Sequence, residues 1–364
     1  MRVYVYPADL GGCGYYRLTW PAQFLASQGH DIKIVHPKHV GRIKGVHDEN
    51  DPKKLIDISV PTDADVMVFQ RVTSVQMITG FELIRKRGIA VVVDVDDDMR
   101  AIHPSNPMYE SLHPTTTHDN MHNYSWQWAE KVYAAATLVT TSTDTLLDRY
   151  ARRDPVTGKR VGVVLHNAVP DVYREIEPRP IPDTIGWAGN VATHPDDPQV
   201  VGSSMARLQR SGYTFRVVGP DWKVKSTFGL EEDPDSTGPV ELARYPHFVK
   251  TLGVGIAPLS LTRFNEAKSW LKMLEYAALG VPCIGSPTRE YLRLHHLGVG
   301  AIAQNPREWY RLGRRLLDSE SARQEMIEAG RAATQRLTIA TNAWRWLEAW
   351  SCAYDMEKSS SSIR

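Results

Sequence analysis

Short apolar runs alternate with helical segments along most of the chain. Four such runs occupy the first part of the sequence, at residues 2–6, 31–35, 66–69 and 89–93. Continuous apolar runs are typical of strands in a parallel sheet, because helices cover both faces of such a sheet. The alternation of these strands with helices therefore predicts a doubly wound α/β fold.

The same alternation starts again after a proline-rich segment. Residues 175–182 (EIEPRPIP) contain three prolines, which predict a linker. Further strands are predicted at residues 184–187, 215–218 and 254–257. The length of 364 residues also favours two domains. We therefore expect two Rossmann-like domains, residues 1–175 and 182–341, that face each other across a cleft.

The C-terminal residues follow both predicted domains. Residues 342–356 carry Trp344, Leu347 and Trp350 and form a predicted helix, which we expect to pack back on the N-terminal domain. The serine-rich residues 357–364 are predicted to be a disordered tail.

Charge and cysteine content argue against several classes of protein. A formal net charge of +1 gives no global attraction to nucleic acid or to an anionic membrane. The three cysteines are far apart in sequence and form no CxxC pair, so a disulfide framework or a zinc site is not expected. No apolar run reaches the length of a membrane span, and we expect a cytoplasmic protein.

Residues 264–286 (FNEAKSWLKMLEYAALGVPCIGS) carry the main functional signal. Apolar spacing predicts a helix from about 269 to 279. Lys268 and Glu275 would lie on one line of that helix, with Lys272 between them. Such a line could hold a phosphate at the helix N-terminus and a ribose two turns later. Spacing alone favours a simpler interpretation, a solvated helix face with a Lys–Glu pair.

Two other strand ends carry glycines or charges. The loop after the first strand contains Gly11 and Gly12, which could approach a phosphate or could form a tight turn. Arg17 and Arg71 could bind phosphate through two nitrogens or could form structural ion pairs.

The fourth strand ends in an acidic run, residues 94–98 (DVDDD). Asp96 or Asp97 could bind an acceptor or a sugar hydroxyl. In the alternative interpretation one aspartate caps a helix and the others are solvated. His118, in the long segment that follows, could act as a general base or could be an ordinary loop residue.

Taken together, these elements resemble those of GT-B glycosyltransferases, especially the retaining family 4 (glycosyltransferase group 1). The resemblance covers nearly the whole chain. It rests on the pattern NxxKSxxKxLEYAAxGxPxIxS at residues 265–286, the GGxGxxR loop at 11–17, and the strand ends VVLHN (163–167), GWAG (186–189) and GIAPL (255–259). The fold implied is α/β, with two Rossmann-like domains facing a cleft.

The resemblance implies transfer of a sugar from a UDP- or GDP-linked donor to an acceptor hydroxyl, with retention and without a metal or other cofactor. The acceptor would be a glycan, a lipid or a protein. The N-terminal domain would bind the acceptor and the C-terminal domain the donor. Glu275 matches the ribose-binding glutamate of the family, and Lys268 and Ser269 fall where the diphosphate is held.

The remaining site residues follow from the same resemblance. The further donor-binding candidates are Gly11, Gly12, Arg17, Gly189, Asn190, His194, Gly219, Tyr245, Asn265 and Lys272. The family often has a glutamate at the position of Ala267, so the adjacent Glu266 is the candidate for the sugar contact. The candidates for catalysis are Asp96, Asp97, Glu266, Lys268 and His118.

Two other functions remain open. The departure at Ala267 is compatible with a non-catalytic protein that binds nucleotide sugars. Basic clusters at residues 149–160 and 222–225 are compatible with a glycosyltransferase that acts on modified bases of viral DNA.

Overall fold

The computed structural model describes residues 1–36, 43–52, 54–113 and 126–361. The chain divides into two compact units. The first unit consists of Met1–Ile102, Met108–Asn167 and Ile339–Arg364, and the second of His103–Pro107 and Ala168–Thr338. The second unit thus begins earlier than residue 182, the expected start of the C-terminal domain.

The first unit is built on a parallel sheet of six strands. The strands of this unit are β1 (Val3–Tyr6), β2 (Ile32–Ile34), β3 (Lys44–His47), β4 (Leu55–Ser59), β5 (Val66–Gln70), β6 (Ala90–Val95), β7 (Leu138–Thr141) and β8 (Gly162–Val164). The sheet has the order β2-β1-β5-β6-β7-β8, while β3 and β4 form a separate antiparallel pair. Strands β5, β6 and β7 are buried along their whole length, as their continuous apolar sequences predict.

Helices connect these strands. In chain order the helical segments of the first unit are Gly12–Gly14, the π-helix Tyr15–Thr19, Trp20–Ser27, Gln76–Lys86, the 3-10 helix Met99–Ala101, Tyr109–Leu112, Trp126–Ala135, Asp144–Tyr150, Ile339–Asn342 and Trp344–Ser361. Among the described residues, no helix combines the length and the apolar character needed to cross a membrane.

The last helix extends further than the sequence predicts. A disordered tail from residue 357 is wrong for residues 357–361, because the helix Trp344–Ser361 includes them. Glu357 is 1% exposed and accepts hydrogen bonds from Arg85 Nε and Thr137 Oγ1, both at 2.7 Å. These bonds attach the end of the helix to the first unit.

The second unit contains another parallel sheet of six strands. Its strands are β9 (Thr184–Ala188), β10 (Thr214–Val218), β11 (Asp235–Ser236), β12 (Val254–Ala257), β13 (Cys283–Gly285) and β14 (Ala301–Ile302). They have the order β11-β10-β9-β12-β13-β14, which is the Rossmann order 3-2-1-4-5-6 when counted within the unit. The prediction of a doubly wound α/β fold is therefore confirmed for both halves of the chain.

The helices of the second unit cover this sheet. They are Val172–Glu175, the 3-10 helix Asp197–Val201, Ser204–Arg210, Val224–Phe228, Tyr245–Val249, the 3-10 helix Asn265–Ala267, Leu271–Ala278, Arg289–His296, Pro306–Asp318 and Glu320–Thr334. Phe215, Phe228 and Trp309 fill the core between helices and strands. Side-chain caps fix two helix starts: Asn305 accepts from the N–H of Glu308, and Ser319 from that of Ala322.

Each sheet has one switch point, which is the position where successive strands stop being added on one side of the first strand and continue on its other side. In the second unit the chain runs from β9 outwards to β11 and resumes at β12 on the other side of β9. In the first unit the corresponding point lies between β1 and β5. Ligands of such sheets bind beyond the carboxyl ends of the two strands at this point. The loops after β9 and β12, and after β1 and β5, are therefore where sites are expected.

Candidate functional site

The segment with the main sequence signal lies beside the switch point of the second unit. It consists of the 3-10 turn Asn265–Ala267, the helix Leu271–Ala278 and then β13. The helix begins two residues later than predicted, because Lys268 follows the 3-10 turn with an extended backbone (φ −64°, ψ 140°). The prediction that Lys268 and Glu275 share one line of the helix is therefore wrong.

Lys268 and Ser269 instead lie just before the first turn of this helix. The side chain of the N-cap residue Trp270 makes no capping hydrogen bond, and the first N–H groups of a helix have no partner within it. The ammonium of Lys268 lies 4.6 Å from the centroid of the Phe264 ring. Glu266 is exposed on the 3-10 turn. An ammonium and the positive end of a helix are thus close in sequence at the end of the loop after β12.

Glu275 belongs to a compact polar cluster. It is 3% exposed, and its Oε2 accepts from the Tyr245 hydroxyl at 3.0 Å and from Lys272 Nζ at 3.3 Å. Lys272 Nζ also donates to the Tyr245 hydroxyl at 2.9 Å. The Lys272–Glu275 pair is formed, but the interpretation as a solvated helix face is wrong, because Glu275 points into the protein. The structure places Tyr245 against Glu275, as a partner of its carboxylate.

Burial and charge fix the protonation of this cluster. Burial raises the pKa of Tyr245 well above its ordinary value, and the nearby Glu275 carboxylate raises it further. Burial alone would lower the pKa of Lys272, but the charge and hydrogen bond of Glu275, together with nearby tyrosines, raise the pKa above its ordinary value. At neutral pH the cluster therefore contains a neutral phenol and an ammonium.

A second polar network joins the loop after β9 to the loop after β12. Asp197 Oδ2 lies 2.7 Å from His194 Nδ1. Asp197 Oδ1 accepts from the backbone N–H of Ser260 at 3.0 Å, from the Ser260 hydroxyl at 2.8 Å and from Asn265 Nδ2 at 2.5 Å. The carboxylate therefore fixes both the imidazole and the loop that leads to Lys268. The Oδ1 atom of Asn265 is buried and has no hydrogen-bond donor among the described residues.

The environment keeps Asp197 ionised. Burial alone would raise its pKa, but the hydrogen bond and charge of His194 and the two bonds from Ser260 lower it below its ordinary value. Asp197 and Ser260 were not among the residues proposed from the sequence. The sequence did contain a signal for Asp197, because it places a carboxylate three residues after His194, in the loop that follows the strand predicted at residues 184–187.

Glycines at two neighbouring strand ends are required by close packing. A Cβ atom on Gly219 would lie 2.2 Å from the carbonyl oxygen of Gly189, and one on Gly189 would lie 2.3 Å from the Trp187 ring. Gly219 also has φ +143°. The side chain of Asn190 accepts from the N–H of Ala192 at 2.9 Å and so shapes the loop that leads to His194.

The hydroxyl of Tyr276 bridges β9 and β12 at the switch point. β9 and β12 pair only at Ile185–Val254 and Gly186–Gly255. Beyond these pairs, the Tyr276 hydroxyl accepts from the N–H of Ala188 at 3.0 Å and donates to the carbonyl of Ile256 at 3.1 Å. It thus replaces a direct bond between the two strands where they separate.

Removal of this hydroxyl should destabilise the second unit. In Tyr276→Phe the buried N–H of Ala188 and the buried carbonyl of Ile256 lose their partner, so we expect the free energy of unfolding to fall by about 1–3 kcal/mol. Equilibrium unfolding in urea measures this loss. Tyr310→Phe, which removes an exposed hydroxyl of the same unit, should have little effect. Equal stability of the two variants would contradict the bridging role.

In the first unit, a carboxylate occupies the glycine-rich loop. Asp9 Oδ1 accepts from the N–H of Gly11 at 2.9 Å and from that of Gly14 at 3.0 Å. Only Gly14 is required by packing, since a Cβ there would lie 2.1 Å from the carbonyl oxygen of Asp9. A Cβ on Gly12 would meet nothing closer than 3.8 Å. A donor contact by Gly11 or Gly12 stays a prediction.

Arg17 is a structural residue, and its assignment to donor phosphate is wrong. It is 1% exposed, and its guanidinium binds both carboxylate oxygens of Asp94, at 3.0 and 2.8 Å. The same side chain donates to the carbonyl of Leu165 at 2.5 Å and to Asn167 Oδ1 at 2.8 Å. Of the two interpretations, the structural ion pair is the one that forms.

The last helix of the first unit is bonded to the backbone of Arg17. Arg17 lies in the π-helix Tyr15–Thr19. The indole Nε1 of Trp346, in the helix Trp344–Ser361, donates to the carbonyl of Arg17 at 2.7 Å. This bond joins two segments that are distant along the chain.

The acidic run after β6 is largely paired with arginines. Arg71, which has φ +56°, binds Asp96 through Nε at 2.5 Å and Nη2 at 2.7 Å, and contacts Asp97 at 3.0 Å. Asp98 caps the 3-10 helix Met99–Ala101 and accepts from Arg149 at 2.6 Å. One aspartate therefore does cap a helix, but the expectation that the others are solvated is wrong.

These pairs leave Asp97 as the more accessible of the two catalytic candidates. The side chain of Asp97 is 21% exposed, against 8% for Asp96. Burial raises the pKa of Asp96, although the charge of Arg71 opposes this. His118 lies outside the described residues. Within the part of the chain that the structure describes, no group of three or more His, Cys, Asp or Glu could hold a metal ion.

Comparison with known sequences identifies a family for part of the chain. Residues 203–353 match the model of a glycosyl transferase-like family. The chain is also 31% identical over 86 residues to a Bacillus subtilis (strain 168) protein provisionally described as the teichuronic acid biosynthesis glycosyltransferase TuaH. That match covers 22% of this chain and 21% of the relative, so it spans about a fifth of the relative's length.

Solved structures share the fold over almost the whole chain. Sucrose-phosphate synthase from Thermosynechococcus elongatus has a TM-score of 0.63 at 11% identity, over 98% of this chain and 100% of that one. Anabaena HepE in complex with UDP has a TM-score of 0.57 at 13% identity, over 97% and 100%. The predicted fold is confirmed: the chain has the fold of GT-B glycosyltransferases, and residues 203–353 match the model of the glycosyl transferase-like family.

Proposed function

We propose that the protein is a glycosyltransferase that moves a sugar from a nucleotide-diphosphate-sugar to an acceptor hydroxyl, with retention and without a metal. The main support is the set of polar groups that lie at the switch point of the second unit. Lys268 and the N-terminus of the helix Leu271–Ala278 follow β12, and the buried Glu275 lies further along the same helix. These groups suit a diphosphate and a ribose, respectively.

The reaction requires charge stabilisation on the leaving group. The bond between the sugar C1 and the phosphate oxygen breaks, and its electron pair stays on the nucleoside diphosphate. The acceptor oxygen bonds to C1 on the same face, and the hydroxyl proton is released. Because the transition state resembles an oxocarbenium ion, negative charge develops on the diphosphate as the bond breaks. Lys268 and the N–H groups at Leu271–Ala278 would stabilise that charge.

For the nucleotide and for the acceptor we propose chemical classes rather than single compounds. HepE, which shares the fold, has been solved with UDP and with UDP-glucose, and this supports a uridine donor. The first unit is assigned to a glycan, lipid or protein acceptor, with Asp97 as the aspartate available to a hydroxyl. The structure describes all three cysteines and none of them forms a disulfide, which suits the reducing cytoplasm.

Two alternatives keep specific support. Ala267 is buried and contributes no carboxylate where the family often has a glutamate, which favours a non-catalytic protein that binds nucleotide sugars. Trp222 is exposed beside Lys223, in a basic segment of the second unit, which is compatible with modified DNA as acceptor. Salt-dependent binding of DNA would favour the latter.

A thermal-shift screen tests the donor assignment. The protein is heated with UDP, GDP and their sugars, and a true ligand at 100 times its Kd should stabilise the native state by about 2.7 kcal/mol. Release of nucleotide from the sugars, followed in parallel, separates an enzyme from a binding protein. If neither nucleotide raises the Tm at millimolar concentration, the proposal is wrong.

A further inference from the structure

The pair His194–Asp197 has a chemical consequence for any anionic ligand of this site. A carboxylate accepts hydrogen bonds and cannot donate them, so the 2.7 Å contact requires a proton on His194 Nδ1. In a neutral imidazole the other nitrogen, Nε2, then carries a lone pair. Nε2 has no hydrogen-bond partner among the described residues, and the His194 side chain is 28% exposed.

A phosphate oxygen is also only an acceptor. It cannot form a hydrogen bond with a lone pair on Nε2, so a phosphate and a neutral His194 with its proton on Nδ1 would repel one another. When a phosphate binds on one side and Asp197 stays on the other, both nitrogens must carry protons. Asp197 stays in place because Ser260 and Asn265 hold its other oxygen.

The same network keeps His194 next to the proposed diphosphate site. Asp197 ties the loop after β9 to Ser260 and Asn265, in the loop after β12. Lys268 follows Asn265 by three residues and precedes the first residue of the helix Leu271–Ala278 by three. His194 therefore lies at the switch point that also leads to Lys268.

We propose that His194 binds the diphosphate of the donor as an imidazolium positioned by Asp197, so that nucleotide binding takes up one proton. This inference rests on the proposed function. His194 donates a hydrogen bond from Nε2 and keeps its proton throughout the reaction. It contributes positive charge to the leaving diphosphate, and Asp197 stabilises that charge from the opposite side.

Other titratable groups near the pair do not account for the uptake. Asp196 is paired with His103 at 2.8 Å. Tyr291, on the helix Arg289–His296, interacts electrostatically with Asp197, and burial together with neighbouring groups raises its pKa well above the ordinary value. Tyr291 thus stays neutral, and Asp197, whose pKa is lowered, stays ionised. The Nε2 atom of His194 is the remaining atom of this network that can accept a proton.

Calorimetry in buffers with different ionisation enthalpies measures the uptake. Binding of UDP or GDP to the wild-type protein at about pH 8 should take up close to one proton, because both nitrogens of His194 carry protons in the complex. Titration of the nucleotide's own phosphate is common to all variants and cancels in the comparison.

Two variants distinguish proton uptake by His194 from a purely structural role of the His194–Asp197 pair. In His194→Gln the side chain cannot gain a proton, so the uptake should fall close to zero. In Asp197→Asn the amide oxygen can still accept from Ser260 and Asn265, while the amide N–H faces Nδ1. The imidazole then carries its proton on Nε2, and it binds phosphate as a neutral donor with little uptake. A residue with only a structural role would change affinity without changing the proton count.

His296→Gln is the matched control, because His296 is an exposed histidine of the same unit. Its uptake should equal that of the wild type. Uptake at the wild-type level in His194→Gln or in a folded Asp197→Asn overturns the inference and leaves the proposed function intact. Failure of the wild-type protein to bind either nucleotide overturns both.

Discussion

Asp94→Ala is expected to destabilise the first unit by about 3–5 kcal/mol. The substitution removes both carboxylate oxygens that bind the Arg17 guanidinium, at 3.0 and 2.8 Å. Arg17 is 1% exposed, so its guanidinium is not in contact with bulk water. The remaining acceptors, Leu165 and Asn167, are uncharged, so a buried cation would lose its counter-ion. Thr140 would also lose its acceptor, which adds to the cost.

Equilibrium unfolding in urea measures this loss. Asp31→Ala is the matched control, because it removes an aspartate from an exposed pair with Arg2 and should change stability little. A double variant, Arg17→Met with Asp94→Leu, removes both charges and should recover much of the stability. If Asp94→Ala were as stable as Asp31→Ala, Arg17 would have another counter-ion, and its exclusion from phosphate binding would need revision.

The architecture of both units could be predicted because it follows from local patterns. Strands β5 and β6 are continuous apolar runs, and their burial along the whole length follows from that composition. Helix ends were predicted less well. The helix Leu271–Ala278 starts late because Asn265–Ala267 forms a 3-10 turn, and nothing in the periodicity of the apolar residues distinguishes the two. The predicted geometry of Lys268 and Glu275 depended on that start.

The charged residues were the hardest to predict, because their partners are distant along the chain. Arg17 and Asp94 are separated by 77 positions. Their pairing follows from the neighbouring positions of β1, β5 and β6 in the sheet, which no local pattern reveals. The same holds for Asp197 and Asn265, which are 68 positions apart and meet at the switch point of the second sheet. A predicted order of the strands in each sheet would have indicated that both pairs lie close together in the fold.

Lys268→Ala should reduce turnover by about 10²–10³-fold if the proposed function is correct. Lys268 lies at the end of the loop after β12, shortly before the N-terminus of the helix Leu271–Ala278. Its charge would interact with a diphosphate whose negative charge increases as the bond to the sugar breaks. Because that interaction strengthens in the transition state, kcat should fall more than the affinity for the nucleotide.

The fold should tolerate this substitution. The contact of the Lys268 ammonium with the Phe264 ring, at 4.6 Å from its centroid, is worth about 0.5–1 kcal/mol, so the Tm should change by a few degrees at most.

Lys225→Ala, which removes an exposed lysine of the same unit, is the matched control for charge and should leave turnover unchanged. Single-turnover release of nucleotide from the donor sugar, with and without acceptor, gives the rates. A rate within about threefold of the wild type, roughly 0.7 kcal/mol, would be too small for a group that stabilises the leaving diphosphate. The donor site would then have to be sought away from the helix Leu271–Ala278.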